Sequence, residues 1–168
     1  MAQVRVFLPL AGTPTDLVDR FDGAPVWLPD AHPLPDDRWT TTLHGGGFRR
    51  TVAVRLGERW QAGSTHWRSI SWDPAMPDRT TPSRLVEWLL PTFDGELGLH
   101  ERGEAVSLVV DGRYQPPGGG LGTAVDELAL HRIARSTVEG LAAGIATLLA
   151  PALPDASAWE AQRDVSHG

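Results

Sequence analysis

The stretch from Thr65 to Trp72 is where this sequence most nearly offers a chemical handle. Successive strand side chains point to opposite sides, so one face carries His66, Arg68, Ile70 and Trp72, and the other Thr65, Trp67, Ser69 and Ser71. If the first face points inward, Arg68 can hold a carboxylate or enolate and His66 can move a proton. If it points outward, both are ordinary surface residues and Trp67 is the buried one. Parity leaves the choice open. Glu87 poses the same question, with Leu85 and Leu89 on its own face and Val86, Trp88 and Leu90 on the other. A half-buried carboxylate there would have a raised pKa and could serve as a general base. The plainer reading is a rim residue paired with Arg84 or Arg68. His66, Arg68 and Glu87 are thus the candidate catalytic set. Tyr114, the sole tyrosine, is either a hydroxyl at a cavity mouth or packing at the end of a strand.

Other chemistries are disfavoured. The six histidines include no pair at helical i, i+4 spacing and no pair beside an acid-rich cluster, so no metal site is expected. The run Gly118 to Gly122 lacks the Gly-Lys-Ser/Thr ending of a phosphate loop, and no parallel βαβ unit follows it. All 15 basic residues are arginine. Schiff-base and phosphate-loop lysines are therefore absent, and any cation in a site must be arginine or histidine. With no cysteine there is no disulfide framework, thiol nucleophile or zinc–thiolate site. A net charge of −6 without an arginine cluster makes a poor nucleic-acid binder. No apolar run approaches the roughly 20 residues of a membrane span, and the first ten residues lack the basic-then-apolar layout expected of a signal peptide. A soluble cytoplasmic protein without a cofactor is expected, with homodimerisation open.

The elements that must position these residues follow from periodicity. One domain over 1–154 with a polar tail over 155–168 suits a chain of 168 residues, which would bury about 70% of its unfolded surface. Residues 3–8 alternate as a half-buried strand. Thr13-Pro14-Thr15-Asp16 then reads as a helix start with cap, first-position proline and acid. Four prolines between 23 and 37 forbid a long element there, and Val26-Trp27-Leu28 reads as a bridging turn that plugs an apolar gap. Strands are predicted near 38–44, 48–56, 64–73, 83–90, 94–101 and 104–114, with the stretch from Gly57 to Gly63 as one of the breaks. Their short connections favour an antiparallel meander. Residues 121–150 carry an amphipathic stripe through Leu130, Val138, Leu141, Ile145 and Leu149, which predicts a helix of roughly 40 Å. A sheet with one apolar face must cover it, and only this helix is large enough. The fold class is α+β: a curved antiparallel sheet of about seven strands wrapped around a long C-terminal helix.

Tyr114-Gln115-Pro116-Pro117-Gly118-Gly119-Gly120 leads into that helix, where Arg132-Ile133-Ala134 and Thr137-Val138 follow. This pattern resembles the START/polyketide-cyclase (SRPBCC, helix-grip) superfamily. The motif spans about 40 residues, and the element order matches over nearly the whole chain. The resemblance implies an apolar cavity between sheet and helix and assigns no catalytic residue. Seven tryptophans suit such a wall, since Trp buries a large apolar area yet keeps one donor. For any one of them, simple packing is the alternative. Trp39, Arg68, Trp72, Trp88, Tyr114, Thr137 and Leu141 are the ligand-binding candidates. Gly140 and Gly144 sit on a small-residue stripe beside Thr137, which serves either close packing or ligand room. The expected function is binding of a small hydrophobic molecule, lipid-, polyketide- or isoprenoid-like. A cyclase/aromatase-type enzyme and an interaction module with a collapsed cavity are the alternatives.

Overall fold

In the computed structural model, which describes residues 2–45, 48–73, 92–115 and 124–150, the alternating segments become seven strands. They are β1 (Ala2–Leu10), β2 (His32–Leu34), β3 (Arg38–Gly45), β4 (Phe48–Ala62), β5 (Thr65–Asp73), β6 (Thr92–Arg102) and β7 (Ala105–Gln115). All belong to one antiparallel sheet in the order β1-β7-β6-β5-β4-β3-β2. β1 adds to the far edge of the meander beside β7, with Val4 opposite Gly112 and Val6 opposite Val110. The predicted strand at 83–90, with Glu87 and Trp88, lies outside the described residues. So do the glycine corner at 118–122 and the tail at 155–168.

Among the described residues, two helices cover one face of the sheet: α1 (Pro14–Asp22) and α2 (Ala124–Leu149). Leu17 and Phe21 of α1 and Val138, Leu141 and Ile145 of α2 join Val52, Val54, Ile70, Trp72, Leu97 and Leu108 in one buried cluster. α2, 26 residues long and so about 39 Å, packs mainly against β3 and β1. None of the described helices is long and apolar enough to cross a membrane.

α1 starts as its sequence dictates. Thr13 caps it by accepting from the Asp16 amide at 3.3 Å, and Pro14 takes the first helical position, where its missing N–H costs nothing. The proline-rich stretch after α1 holds a short strand and a turn in which the Leu28 amide donates to the Pro25 carbonyl at 3.0 Å. That turn buries Trp27 and Leu28 while Val26 stays exposed. Trp27 stacks on Phe21 with ring centroids 5.2 Å apart, so the bridging turn does fill an apolar gap.

One boundary differs from the sequence reading. β4 does not stop before Gly57 but runs on to Ala62 through an irregularity between Leu56 and Arg59. Leu56 faces Ile70 and Arg59 faces Arg68, so Gly57 and Glu58 together oppose the single residue Ser69. This is a β-bulge, which bends and twists a strand without ending it. A Cβ at Gly57 would lie 1.9 Å from the Ser69 hydroxyl, so glycine here answers a packing need. The chain turns at Gly63 instead, at φ 61°.

Candidate functional site

Register settles the face that parity left open. Ile70 and Trp72 belong to the core cluster beneath the helices, so Arg68 and His66, on the same side of β5, share the concave face. Trp67 lies on the opposite face, stacked on Trp60 at 6.4 Å.

The bulge places two cations side by side on that concave face, because Arg59 is the register partner of Arg68. Arg68 donates through Nε to the Gly57 carbonyl at 3.3 Å, while its Nη1 is buried without a hydrogen-bond partner. Burial lowers the Arg68 pKa from its ordinary value, and the charge of Arg59 lowers it further; Asp22 works the other way. Arg59 reaches the carbonyl of Asp22, the last residue of α1, where a cation complements the negative end of the helix dipole.

These two arginines border an open groove of about 860 Å³ between the end of α1, the β2–β3 turn and the bulge. Pro25, Trp39 and Leu56 supply its apolar wall, and Asp22, Asp36, Asp37 and Glu58 lie around it. Its volume is within the ordinary range for small-molecule sites. Trp39, partly buried, stands opposite Val54 on the same concave face.

The remaining candidates lie deeper. Trp72 is buried and stacks on Phe93 with centroids 4.3 Å apart. That stack lies over a glycine floor, since Gly95 and Gly112 are register partners and a Cβ on either would strike the Phe93 ring within 2.7 Å. Thr137 and Leu141 are buried in α2, and the Thr137 hydroxyl donates to the Ile133 carbonyl at 2.8 Å. The stripe beside them faces packing. A Cβ at Gly140 would lie 2.4 Å from the His44 carbonyl oxygen, and one at Gly144 would lie 2.6 Å from Pro29.

Arg68 and His66 are not brought to one pocket. His66 is outside the groove, with Nε2 3.3 Å from Glu101 of β6. Glu101 was visible in the sequence as the continuation of the Leu97, Leu99 parity, but its partner depends on strand register. Arg59 was hidden because its segment reads as a loop. The other strand histidines also go separate ways: His44 is exposed, and His100 Nδ1 pairs with the Thr65 hydroxyl at 2.9 Å. Among the described residues no group of three potential ligands is placed to hold a metal ion.

Tyr114, 1% exposed, meets Nδ1 of His131 on α2 through its phenol oxygen. This tie joins the end of β7 to the first half of the helix. Burial raises the Tyr114 pKa above its ordinary 10.0. A raised folded-state pKa means that the associated stability is intact below about pH 10 and is lost as pH rises through the folded value. With no lysine or cysteine in the chain, few other groups titrate there. Tyrosinate absorbance is expected to titrate at higher pH in the folded protein than in urea. Tyr114→Phe should remove that limb of the stability profile and cost about 1 kcal/mol at neutral pH. Coincident folded and unfolded titrations would contradict the burial argument.

No protein-family model matches the sequence, and no curated protein is detectably similar to it. Solved structures are similar in shape. TTHA0849 from Thermus thermophilus superposes with a TM-score of 0.52 at 13% identity, over 88% of this chain and 97% of that one. A STAR-related lipid transfer protein fragment from Xanthomonas axonopodis gives 0.43 at 14% identity, covering 85% of each chain. Ara h 8.0201 gives 0.46 at 11% identity, over 88% of this chain and 97% of that one. Identities this low speak for architecture alone. With seven antiparallel strands curved around a long C-terminal helix, the chain has a helix-grip architecture, the fold class expected from the sequence.

Proposed function

We propose that this protein binds a small hydrophobic molecule, lipid-, polyketide- or isoprenoid-like, on the concave face of the sheet. The observation that carries this reading is the groove of about 860 Å³ at the end of α1, whose apolar wall of Pro25, Trp39 and Leu56 opens on the concave face. Among the described residues, its lining comes from the end of α1, the loop after it and the strands, not from α2. Trp39 and Arg68 are the residues at the groove; Trp72, Tyr114, Thr137 and Leu141 are the interior contacts in this proposal, and Trp88, outside the described residues, remains a candidate from the sequence. Pro25, Trp39 and Leu56 offer apolar area and Arg68 a polar handle; burial of apolar area supplies affinity and a polar group fixes orientation.

Native mass spectrometry of the purified protein should reveal one hydrophobic molecule per chain, and the same spectrum reads whether the chain is a homodimer. Nile red, a neutral apolar dye, should bind once per chain. Trp39→Ala should weaken it about tenfold, the equivalent of roughly 1.4 kcal/mol and a modest part of what a large aromatic contributes. A protein that carries no adduct and takes up no dye would overturn the proposal and favour an interaction module with a collapsed cavity. A cyclase-type enzyme is the second reading. His66 held by Glu101 on the concave face favours it, because a carboxylate that orients an imidazole prepares it for proton transfer.

A further inference from the structure

We propose that Arg59 and Arg68 form an anion-recognition site, so that the ligand is a single-headed amphiphile whose carboxylate or phosphate docks there with its apolar part against Trp39 and Leu56. This rests on the hydrophobic-ligand reading and specifies the ligand's polar end. Arg59 and Arg68 are register partners across the β4–β5 pairing, both on the concave face. Arg68 satisfies only Nε, on the Gly57 carbonyl, and its Nη1 is buried with no partner. No ion pair forms to either arginine among the described residues; the groove's Asp36 lies 3.7 Å from Arg38 instead.

A buried donor without a partner is costly, and a buried unpaired charge more so. Next to a second cation the cost rises again, and the lowered Arg68 pKa has both causes. A carboxylate or phosphate would relieve both. Its oxygens match the guanidinium fork, and its charge offsets the Arg59–Arg68 repulsion. Asp22, Asp36, Asp37 and Glu58, which outnumber the groove's remaining cation Arg55, set a limit on the head group. They repel a polyanion, which favours one compact anionic head over a nucleotide or nucleic acid. The apolar wall beside the pair accounts for the rest of the ligand.

The test compares cis-parinaric acid with its methyl ester by fluorescence titration near neutral pH, followed by thermal shifts with dodecanoate, dodecyl phosphate and inorganic phosphate. The wild type should prefer the acid over the ester by about ten- to a hundredfold, the range of a hydrogen-bonded charged group. Arg68→Met should collapse that preference and, with no ligand present, raise the melting temperature, since it removes a partly buried charge with an unpartnered buried donor. Arg68→Gln serves as the polar control and should lose the preference equally. Whichever of dodecanoate and dodecyl phosphate stabilises the wild type more identifies the head group. Equal binding of acid and ester would overturn the anion site while leaving hydrophobic binding intact. Binding of neither would overturn hydrophobic binding itself, and the anion site with it. Stabilisation by inorganic phosphate as strong as by dodecyl phosphate would overturn the amphiphile in favour of a free anion.

Discussion

Gly140→Leu is expected to leave the protein unfolded, and Gly140→Ala to destabilise it by about 1–3 kcal/mol, the usual cost of overpacking a tight contact. The position is inside α2, where alanine would normally gain about 1 kcal/mol over glycine. The expected sign is therefore opposite to helix propensity. The reason is the backbone of β3: a Cβ at residue 140 would stand 2.4 Å from the His44 carbonyl oxygen and 3.4 Å from its carbon. A backbone carbonyl in a paired strand cannot swing aside as a side chain can, so helix and sheet must separate. α2 packs more extensively on β3 than on any other element, and such a shift would loosen the whole grip. Gly144 faces the Pro29 ring at 2.6 Å, in a loop instead of a strand, and Gly144→Ala should cost less. Urea midpoints for the two alanine variants give the comparison. A Gly140→Ala protein more stable than the wild type would mean that the stripe is ligand room and not a packing groove.

Gly112→Val should have the next largest effect, about 2–4 kcal/mol from overpacking plus a lost aromatic pair. A Cβ there would fall 2.4 Å from Cζ and 2.7 Å from Cε2 of Phe93, and 2.9 Å from the Asp94 carbonyl. Phe93 is buried against Trp72 at 15° between planes, so its ring cannot leave without unstacking the tryptophan. Gly95, opposite Gly112, leaves no spare room, because its own Cβ position is 2.7 Å from the same ring. The near-ultraviolet circular dichroism from the aromatic stack should fall along with the urea midpoint. If Trp72 lines the ligand space as proposed, Nile red binding should weaken in the fraction that stays folded. An unchanged aromatic spectrum would show that Phe93 has another place to go.

Helix ends are tied by arginines from elsewhere in the chain. α2 has no basic residue in its last turn, and Arg20 of α1 supplies one, its Nη1 3.4 Å from the Leu149 carbonyl and 3.5 Å from that of Ala150. Arg59 does the same for α1. The groove therefore sits where β4 and α1 are coupled, and an anion on Arg59 would also touch the contact that anchors α1.

The sequence by itself determined whatever depends on a local repeat. Two-residue alternation placed five of the seven strands near their observed limits, and the three- and four-residue stripe placed α2. Thr13 and Pro14 started α1, because a cap acts on amides two or three residues away. Alternation also sorted each strand into two faces, and the side shared by His66, Arg68, Ile70 and Trp72 is one of them. Which side was inside is a property of the sheet as a whole, decided where the helices settle. The bulge was hidden because a glycine followed by polar residues looks the same in a loop and in an irregular strand. The pairing of Arg59 with Arg68, the Glu101 contact with His66 and the glycine floor beneath Phe93 each join residues from different strands. Only register brings them together, and register is fixed by the packing of the entire face. The same holds for Gly140: the sequence marked it as unusual in a helix, and only its distance to the β3 backbone says why.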